Sequence, residues 1–323
     1  MNYPFFKPGS YTFFTREAIR QGGLNYPKML NVEPTNHCNF NCVMCSRRRS
    51  GRPLGFMSLD LFDAILADVR RCGKTIQWLT LHNDGEPLLH PDLAVMVHMA
   101  KSSGVVENVH FNTNGQLLTE DAAAALVQAG LDDITVSIDA LTPETFARVK
   151  RAGDLATVAE NTRQLMRVRK KLGRSNPWVR AKIIDMPLTA GEIDGFCRSW
   201  RHRVDEVQVQ PIHNAGGGIA LDSAPGAPDR YPCALPWYAL AVNWNGTVSP
   251  CCVDLSGENI VGDLRRETLQ AIFVRGLIRT YREKMLNGRE AELSPCAGCN
   301  VWRNGVNIFK PLDHEERRQS HAA

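Results

Sequence analysis

From Met29 to Gln210 the chain repeats one pattern: a short run rich in β-branched and aromatic residues, then an amphipathic stretch of helical period. Strands separated by helix-length segments do not pair through tight turns; they line up parallel, with the helices covering the sheet. The strand candidates are Met29–Val32, Trp78–His82, Asn108–Asn112, Asp133–Ile138, Trp178–Ile184 and Glu206–Gln210. Helix candidates fall at Leu59–Arg71, Pro91–Ser103, Thr119–Gln128, Pro143–Arg151, Leu155–Lys171 and Ala190–Trp200. The predicted class is therefore α/β, and the number of units falls short of a closed eight-fold barrel.

In parallel architectures the functional loops gather at the carboxyl ends of the strands. The loop after the first strand carries Cys38, Cys42 and Cys45, spaced C-x3-C-x2-C. Three thiolates on one tight loop can hold three irons of a four-iron cluster and leave the fourth open to a substrate or cofactor. A structural zinc wants a fourth protein ligand, and ferredoxin-type clusters normally take four cysteines. The spacing by itself leaves zinc open.

A second set follows a Gly-, Ala- and Pro-rich stretch at 213–230: Cys233, Cys251, Cys296 and Cys299, spaced C-x17-C-x44-C-x2-C. Between them lie Asn245-Gly246-Thr247-Val248, read as a hairpin turn, and a helix candidate near Gln270–Tyr281. Four thiolates suit an iron–sulfur cluster or a structural zinc. Of the ten cysteines, Cys72, Cys197 and Cys252 are left over. Cys72 reads as inert. Cys197 falls on an apolar helix position, where a small buried hydrophobe is the default. Cys252 directly follows a ligand candidate.

Ten cysteines among 323 residues, with no secretory signal legible at the N-terminus, point to metal or redox work in the cytoplasm rather than disulfides. No stretch reaches the roughly 18 apolar residues of a membrane span. The net charge of +4 is scattered, with one run at Arg47-Arg48-Arg49, which does not argue for nucleic acid. His82 and His213 stand near carboxyl ends of strands, where a substrate contact competes with an ordinary structural role; Trp237 and Trp244 read as core.

The first cysteine loop, in this position, resembles the signature of the radical SAM superfamily, and the later segment resembles the SPASM/twitch auxiliary-cluster domain. No cysteine follows Cys299, which places it nearer the one-cluster twitch variant. The resemblance implies a partial (β/α)6 barrel followed by a small Cys-rich domain of hairpin and helix. The expected boundaries are an N-terminal extension at 1–28, the barrel at 29–212, a linker at 213–230, the auxiliary domain at 231–312 and a polar tail at 313–323. It further implies a [4Fe-4S] cluster with an open iron on Cys38, Cys42 and Cys45, S-adenosylmethionine bound at that iron, and one auxiliary cluster, expected to be [4Fe-4S], on Cys233, Cys251, Cys296 and Cys299. Asp84-Gly85-Glu86-Pro87 resembles the family's GGEP motif, with Asp84 in place of the first glycine. On that likeness Gly85, Glu86 and Pro87 meet the methionine amine, while Asn114, Ser137 and Asp139, at later strand ends, are candidates for the rest of the cofactor.

The activity implied is reductive cleavage of S-adenosylmethionine to a 5′-deoxyadenosyl radical that abstracts hydrogen from substrate, fed by a flavodoxin- or ferredoxin-type donor. Loss of a further electron and a proton makes the enzyme a dehydrogenase; return of hydrogen from a thiol to the other face makes it an epimerase, and in that case Cys197 and Cys252 are the candidate hydrogen-atom donors, because a thiol readily gives hydrogen to a carbon radical. Only 37 residues precede Cys38, too few for an N-terminal peptide-recognition domain, so a small polyol, aminocyclitol or amino-sugar is expected. Peptide or protein modification by a maturase is the alternative, and a non-catalytic zinc-binding protein a distant one.

Overall fold

The computed structural model describes residues 24–45, 47, 50–214, 230, 232–254 and 257–303. The expected N-terminal extension lies mostly outside the described residues, the linker almost wholly and the polar tail entirely. Six parallel strands alternate with helices: β1 Met29–Val32, α1 Leu59–Arg71, β2 Ile76–Thr80, α2 Leu93–Ser102, β3 Val106–Thr113, α3 Glu120–Ala129, β4 Asp133–Ser137, α4 Pro143–Lys150, α5 Leu155–Lys171, β5 Trp178–Asp185, α6 Ile193–Trp200 and β6 Glu206–Pro211. Their order in the sheet follows the sequence, from β1 to β6. The sheet is open rather than closed. Helices start on side-chain caps: Ser58, Thr119, Thr142 and Asp154 each accept from the backbone N–H three residues on. Each such cap contributes about 1 kcal/mol and fixes where the helix enters.

Along each strand the side chains alternate in chemistry as well as in the face they occupy. Leu30, Leu79, Val109, Ile134, Val136, Ala181 and Ile183 are buried in the main core beneath the helices, with Phe62, Ile65, Met96, Leu126 and Leu165. The intervening residues, Asn31, Thr80, Asn112, Thr135, Ser137, Lys182 and Gln208, therefore point to the other, concave face. A parallel sheet buried on both faces normally shows continuous apolar runs; here one face is polar.

The Cys-rich segment does not stand apart from this sheet. After a short α7 (Leu235–Tyr238) come β7 Ala239–Val242, β8 Thr247–Ser249 and β9 Gly262–Asp263. β7 pairs parallel with β1, from Met29 opposite Ala239 to Val32 opposite Val242, and β8 and β9 continue antiparallel. The turn between β7 and β8 places Gly246 at φ 88°, as the Asn-Gly signal predicts. The helix expected near Gln270–Tyr281 is two helices, α8 Leu269–Arg275 and α9 Leu277–Leu286, broken at the extended Gly276. A Cβ at Gly276 would press on the Ile272 and Val261 carbonyl oxygens at 3.2 Å, so the break is also a tight backbone crossing.

Candidate metal and cofactor site

The first cysteine loop leaves β1 at its carboxyl end and is laced down on three sides. Thr35 Oγ1 donates to the Gly55 carbonyl at 2.7 Å, and the Asn36 amide exchanges bonds with Pro53 O and Gly55 N. Asn41 and Val43 N–H groups donate to the carbonyls of Lys150 and Val149 at the end of α4. Glu86 N donates to His37 O at 2.7 Å, which ties the loop to the Asp84–Pro87 turn after β2. That contact demands glycine beside it: a Cβ on Gly85 would lie 2.1 Å from Thr35 O and 2.6 Å from His37 O. Burial, the largest cause, pushes the Cys38 thiol up to about 11, against the N–H that Phe40 donates to its sulfur; Cys42 and Cys45 are raised for the same first reason. A buried thiol gives up its proton readily only to a metal, whose charge replaces it.

Glu86 accepts three hydrogen bonds from the protein. Its Oε1 accepts from Thr113 Oγ1 at 2.7 Å and from Leu88 N at 3.1 Å, and its Oε2 accepts from Asn114 N at 2.7 Å. The carboxylate thus clamps the ends of β2 and β3 together, while Pro87 opens the short turn it caps. Asn114 in turn donates to Asn39 Oδ1 within the cysteine loop. Asp139 sits at φ 56°, tolerated by Asp more readily than by most residues. Its oxygens bind Lys150 Nζ at 2.6 Å and Ile184 N at 2.9 Å. Ser137 stands half-buried at the end of β4, facing Lys182 across the pair.

Cys233, Cys251, Cys296 and Cys299 line one pocket, whose remaining walls include Pro236, Tyr281, Met285 and Trp302. Burial pushes Cys233 and Cys296 up to about 12 and raises Cys251 strongly. Four thiols and apolar walls fit an iron–sulfur cluster, and the first loop fits a cluster with one open iron. The thiols do not close on a point: among the described residues no three His, Cys, Asp or Glu side chains converge tightly enough for a single metal ion. A four-iron cube spaces its ligands wider than one ion does. Cys252 is not part of that lining; burial raises its thiol to about 11, and the charges it feels are Cys299 and, beyond the pocket, Asp84. Cys197 lies on α6, in the outer helical layer against β5 and β6.

Several residues not singled out in the sequence prove central. Arg52 bridges Glu33 and Asp84, donating from Nη1 at 3.1 and 3.0 Å; Glu33 is wholly buried and also accepts from Trp244 N at 3.1 Å. Burial first, then the Glu33 charge, raises Asp84 to about 8 against the pull of Arg52. This knot joins the cysteine loop, the Asp84 turn and the β7–β8 turn. On the concave face a polar chain crosses every strand. Thr80 donates to Asn31 at 2.6 Å; Asn112 lies 3.1 Å from His82 and 3.0 Å from His110; His110 pairs with Asp133 at 2.7 Å; Arg180 pairs with Asp133 and, at 2.8 Å, with Glu206. Asn31 Nδ2 and Thr135 Oγ1 are buried there with no partner among the described residues. Alternation such as Val179-Arg180-Ala181-Lys182-Ile183 was the available signal.

An open α/β sheet with two cysteine sets, one at the carboxyl end of β1 beside a polar face and one in a pocket of the C-terminal segment, fits a cluster-binding protein. Residues 32–175 match the family model of the radical SAM superfamily, and residues 233–300 that of an iron–sulfur cluster-binding domain, SPASM. The chain is a radical SAM protein with a C-terminal SPASM domain, families that bind a four-iron cluster with S-adenosylmethionine and auxiliary clusters, respectively. It is 30% identical over 159 residues to the tungsten-containing aldehyde ferredoxin oxidoreductase cofactor-modifying protein of Pyrococcus furiosus, a match covering 49% of this chain and 43% of that one. The chain thus spans under half the length of such curated relatives. In fold it resembles BtrN in complex with AdoMet and 2-DOIA, with TM-score 0.58 and 19% identity over 84% of this chain and 92% of that one. It also resembles Streptococcus suis SuiB bound to precursor peptide SuiA, with TM-score 0.62 and 13% identity over 89% and 72%. Among the described residues no helix is long and apolar enough to cross a membrane.

Proposed function

We propose that this chain is a radical SAM enzyme that oxidises or epimerises a small hydroxylated molecule of the polyol, aminocyclitol or amino-sugar kind. The observation carrying this reading is the polar inner face of the sheet. It offers amides, hydroxyls, imidazoles and cations from all six strands, two of them buried without partners among the described residues, and a many-hydroxyl ligand supplies matching donors and acceptors.

In this reading Cys38, Cys42 and Cys45 hold the first cluster, and Cys233, Cys251, Cys296 and Cys299 the auxiliary one. Bound at the first site, the cluster and S-adenosylmethionine supply homolytic C–H chemistry that no amino-acid side chain provides. Gly85 lets the backbone after β2 approach the cysteine loop, and its carbonyl neighbours suit an ammonium. Glu86 acts by holding Asn114 and Thr113 in place, and Asp139 by fixing Lys150. Ser137 contacts the ribose or the methionine carboxylate. Cys252, outside the auxiliary lining and within the field of Asp84, is the donor we favour if hydrogen is returned.

The likeness to a peptide-bound chain supports a second reading, modification of a peptide. One experiment separates them. The anaerobically reconstituted chain is given S-adenosylmethionine, dithionite and perdeuterated inositols, amino-sugars or a mixed peptide library. Deuterium in 5′-deoxyadenosine from a cyclitol or sugar supports the first reading; deuterium from peptides alone overturns it. Loss of epimer but not of ketone in Cys252→Ala would assign the thiol.

A further inference from the structure

The loop that closes the second cysteine set, Cys296–Cys299, is held from two directions. Asn214, just after β6, donates from Nδ2 to Gly298 O at 2.6 Å and accepts the Asn300 N–H at Oδ1 at 3.0 Å. Those bonds are neutral. Arg230 holds the other end with a charge. Its Nη2 donates to Cys296 O at 2.6 Å, its Nη1 to Ala297 O at 3.2 Å, and its Nε pairs with Glu290 at 3.0 Å. The guanidinium stands 5.7 Å from the Trp302 ring centre and lines the same pocket as the four thiols. One edge of it therefore faces the cysteine loop, and the other faces a carboxylate that is only 17% exposed. Burial raises the Cys233 and Cys296 thiols first, and the Arg230 charge pulls both the other way. Asp254, which Cys296 also feels, is buried and accepts two bonds from Asn259. Between apolar walls such charges are weakly screened.

We propose that Arg230 sets the reduction potential of the auxiliary site, making it a readier electron acceptor, and that Glu290 limits the gain. This rests on the reading that Cys233, Cys251, Cys296 and Cys299 hold an iron–sulfur cluster. It deepens the oxidising branch of that reading, because a substrate that loses an electron needs an acceptor able to take it. Four thiolates give such a cluster a net negative charge that grows by one on reduction, so a neighbouring cation favours the reduced form. A clamp without electrical effect behaves differently. Removing Arg230 or Glu290 breaks the same ion pair, so a purely structural role moves the site one way in both variants. A role carried by charge moves it in opposite directions.

The test is a redox titration followed by electron paramagnetic resonance on the reconstituted full-length chain carrying Cys42→Ala, in which only the auxiliary set titrates. Arg230→Gln should lower the reduced-to-oxidised ratio at a set potential about tenfold, a downward shift of about 59 mV for one electron. Glu290→Gln should shift the midpoint upward. Arg230→Lys keeps the charge and Asn214→Ala loosens the same loop without touching it; both should stay within about threefold of the parent. Unchanged circular dichroism and about four irons per chain show that each variant is folded and loaded. The proposal fails if Arg230→Gln and Glu290→Gln move the midpoint the same way, or if either leaves it in place. It fails too if Asn214→Ala moves it as far as Arg230→Gln. Should Arg230→Gln take up no iron, Arg230→Lys and Glu290→Gln decide: a parent-like midpoint in the first and an upward shift in the second support the proposal, and any other pattern overturns it. A parent chain without auxiliary iron is a distinct result, which sinks the cluster reading and the proposal with it.

Discussion

Replacing Arg52 by Met would test the knot that holds the first cysteine loop. The guanidinium lies between Glu33 and Asp84, whose side chains are 0% and 1% exposed. Its loss strands two buried carboxyl groups, and removing one partner of a buried pair typically costs about 3–5 kcal/mol. Asp84, already raised to about 8, takes up a proton and relieves part of that, so the lower end applies: about 3 kcal/mol near pH 7.5. For a chain of 323 residues this lowers the thermal midpoint by about 4–5 °C. Asp84→Asn in the same chain removes the cost of holding Asp84 protonated, so the double variant should recover about 1–2 kcal/mol of the loss. The assay is urea or thermal denaturation of the apo chain under reducing conditions, for both single variants and the double. A loss under about 1 kcal/mol, or strictly additive effects, would refute the claim that Arg52 neutralises this pair.

Three further outcomes are expected. Gly85→Ala forces a Cβ to 2.1 Å from Thr35 O, so the first loop should fail to take up iron while the auxiliary set still loads; iron should fall to about half, with no 5′-deoxyadenosine. Asp84 has a folded pKa of about 8, well above an unfolded carboxyl, so its contribution is complete below about pH 4 and is lost as pH rises through 8; the stability of Asp84→Asn should fall less than wild type between pH 5 and 8, measured by denaturant titration. Cys38 at about 11 and Cys233 and Cys296 at about 12 lie above an unfolded thiol at about 8.5, so apo stability should drop as pH climbs past 9 toward those values, and cluster loading at pH 7.5 should release protons into a weakly buffered solution.

Much of the scaffold was legible because it rests on local signals. Leu59–Arg71 and Leu155–Lys171 match the helices residue for residue, since Ser58 and Asp154 cap them and their apolar periods are regular. β2 begins at Ile76, two residues before expected, because Ile76 pairs with Val106 across the sheet, a long-range partner that no local pattern reveals. The pairing of β7 with β1 was hidden for the same reason: four apolar residues, Ala239–Val242, do not declare which edge they join. Both cysteine sets could be read from spacing. The hydrogen bonds of Glu86 and Asp139 were not legible, because their partners Thr113, Lys150 and Ile184 come from other elements. Glu33 and Arg52 carry no motif at all; only the fold brings them to Asp84.

The central claim is that two cysteine sets make this a two-cluster radical enzyme. The direct measurement is iron and labile sulfide per chain after anaerobic reconstitution, with 5′-deoxyadenosine assayed under dithionite, for wild type, Cys42→Ala and Cys251→Ala. The account predicts about eight irons and deoxyadenosine release in wild type, about four irons in each variant, and no release in Cys42→Ala. A colourless, zinc-loaded chain that leaves S-adenosylmethionine intact would contradict it.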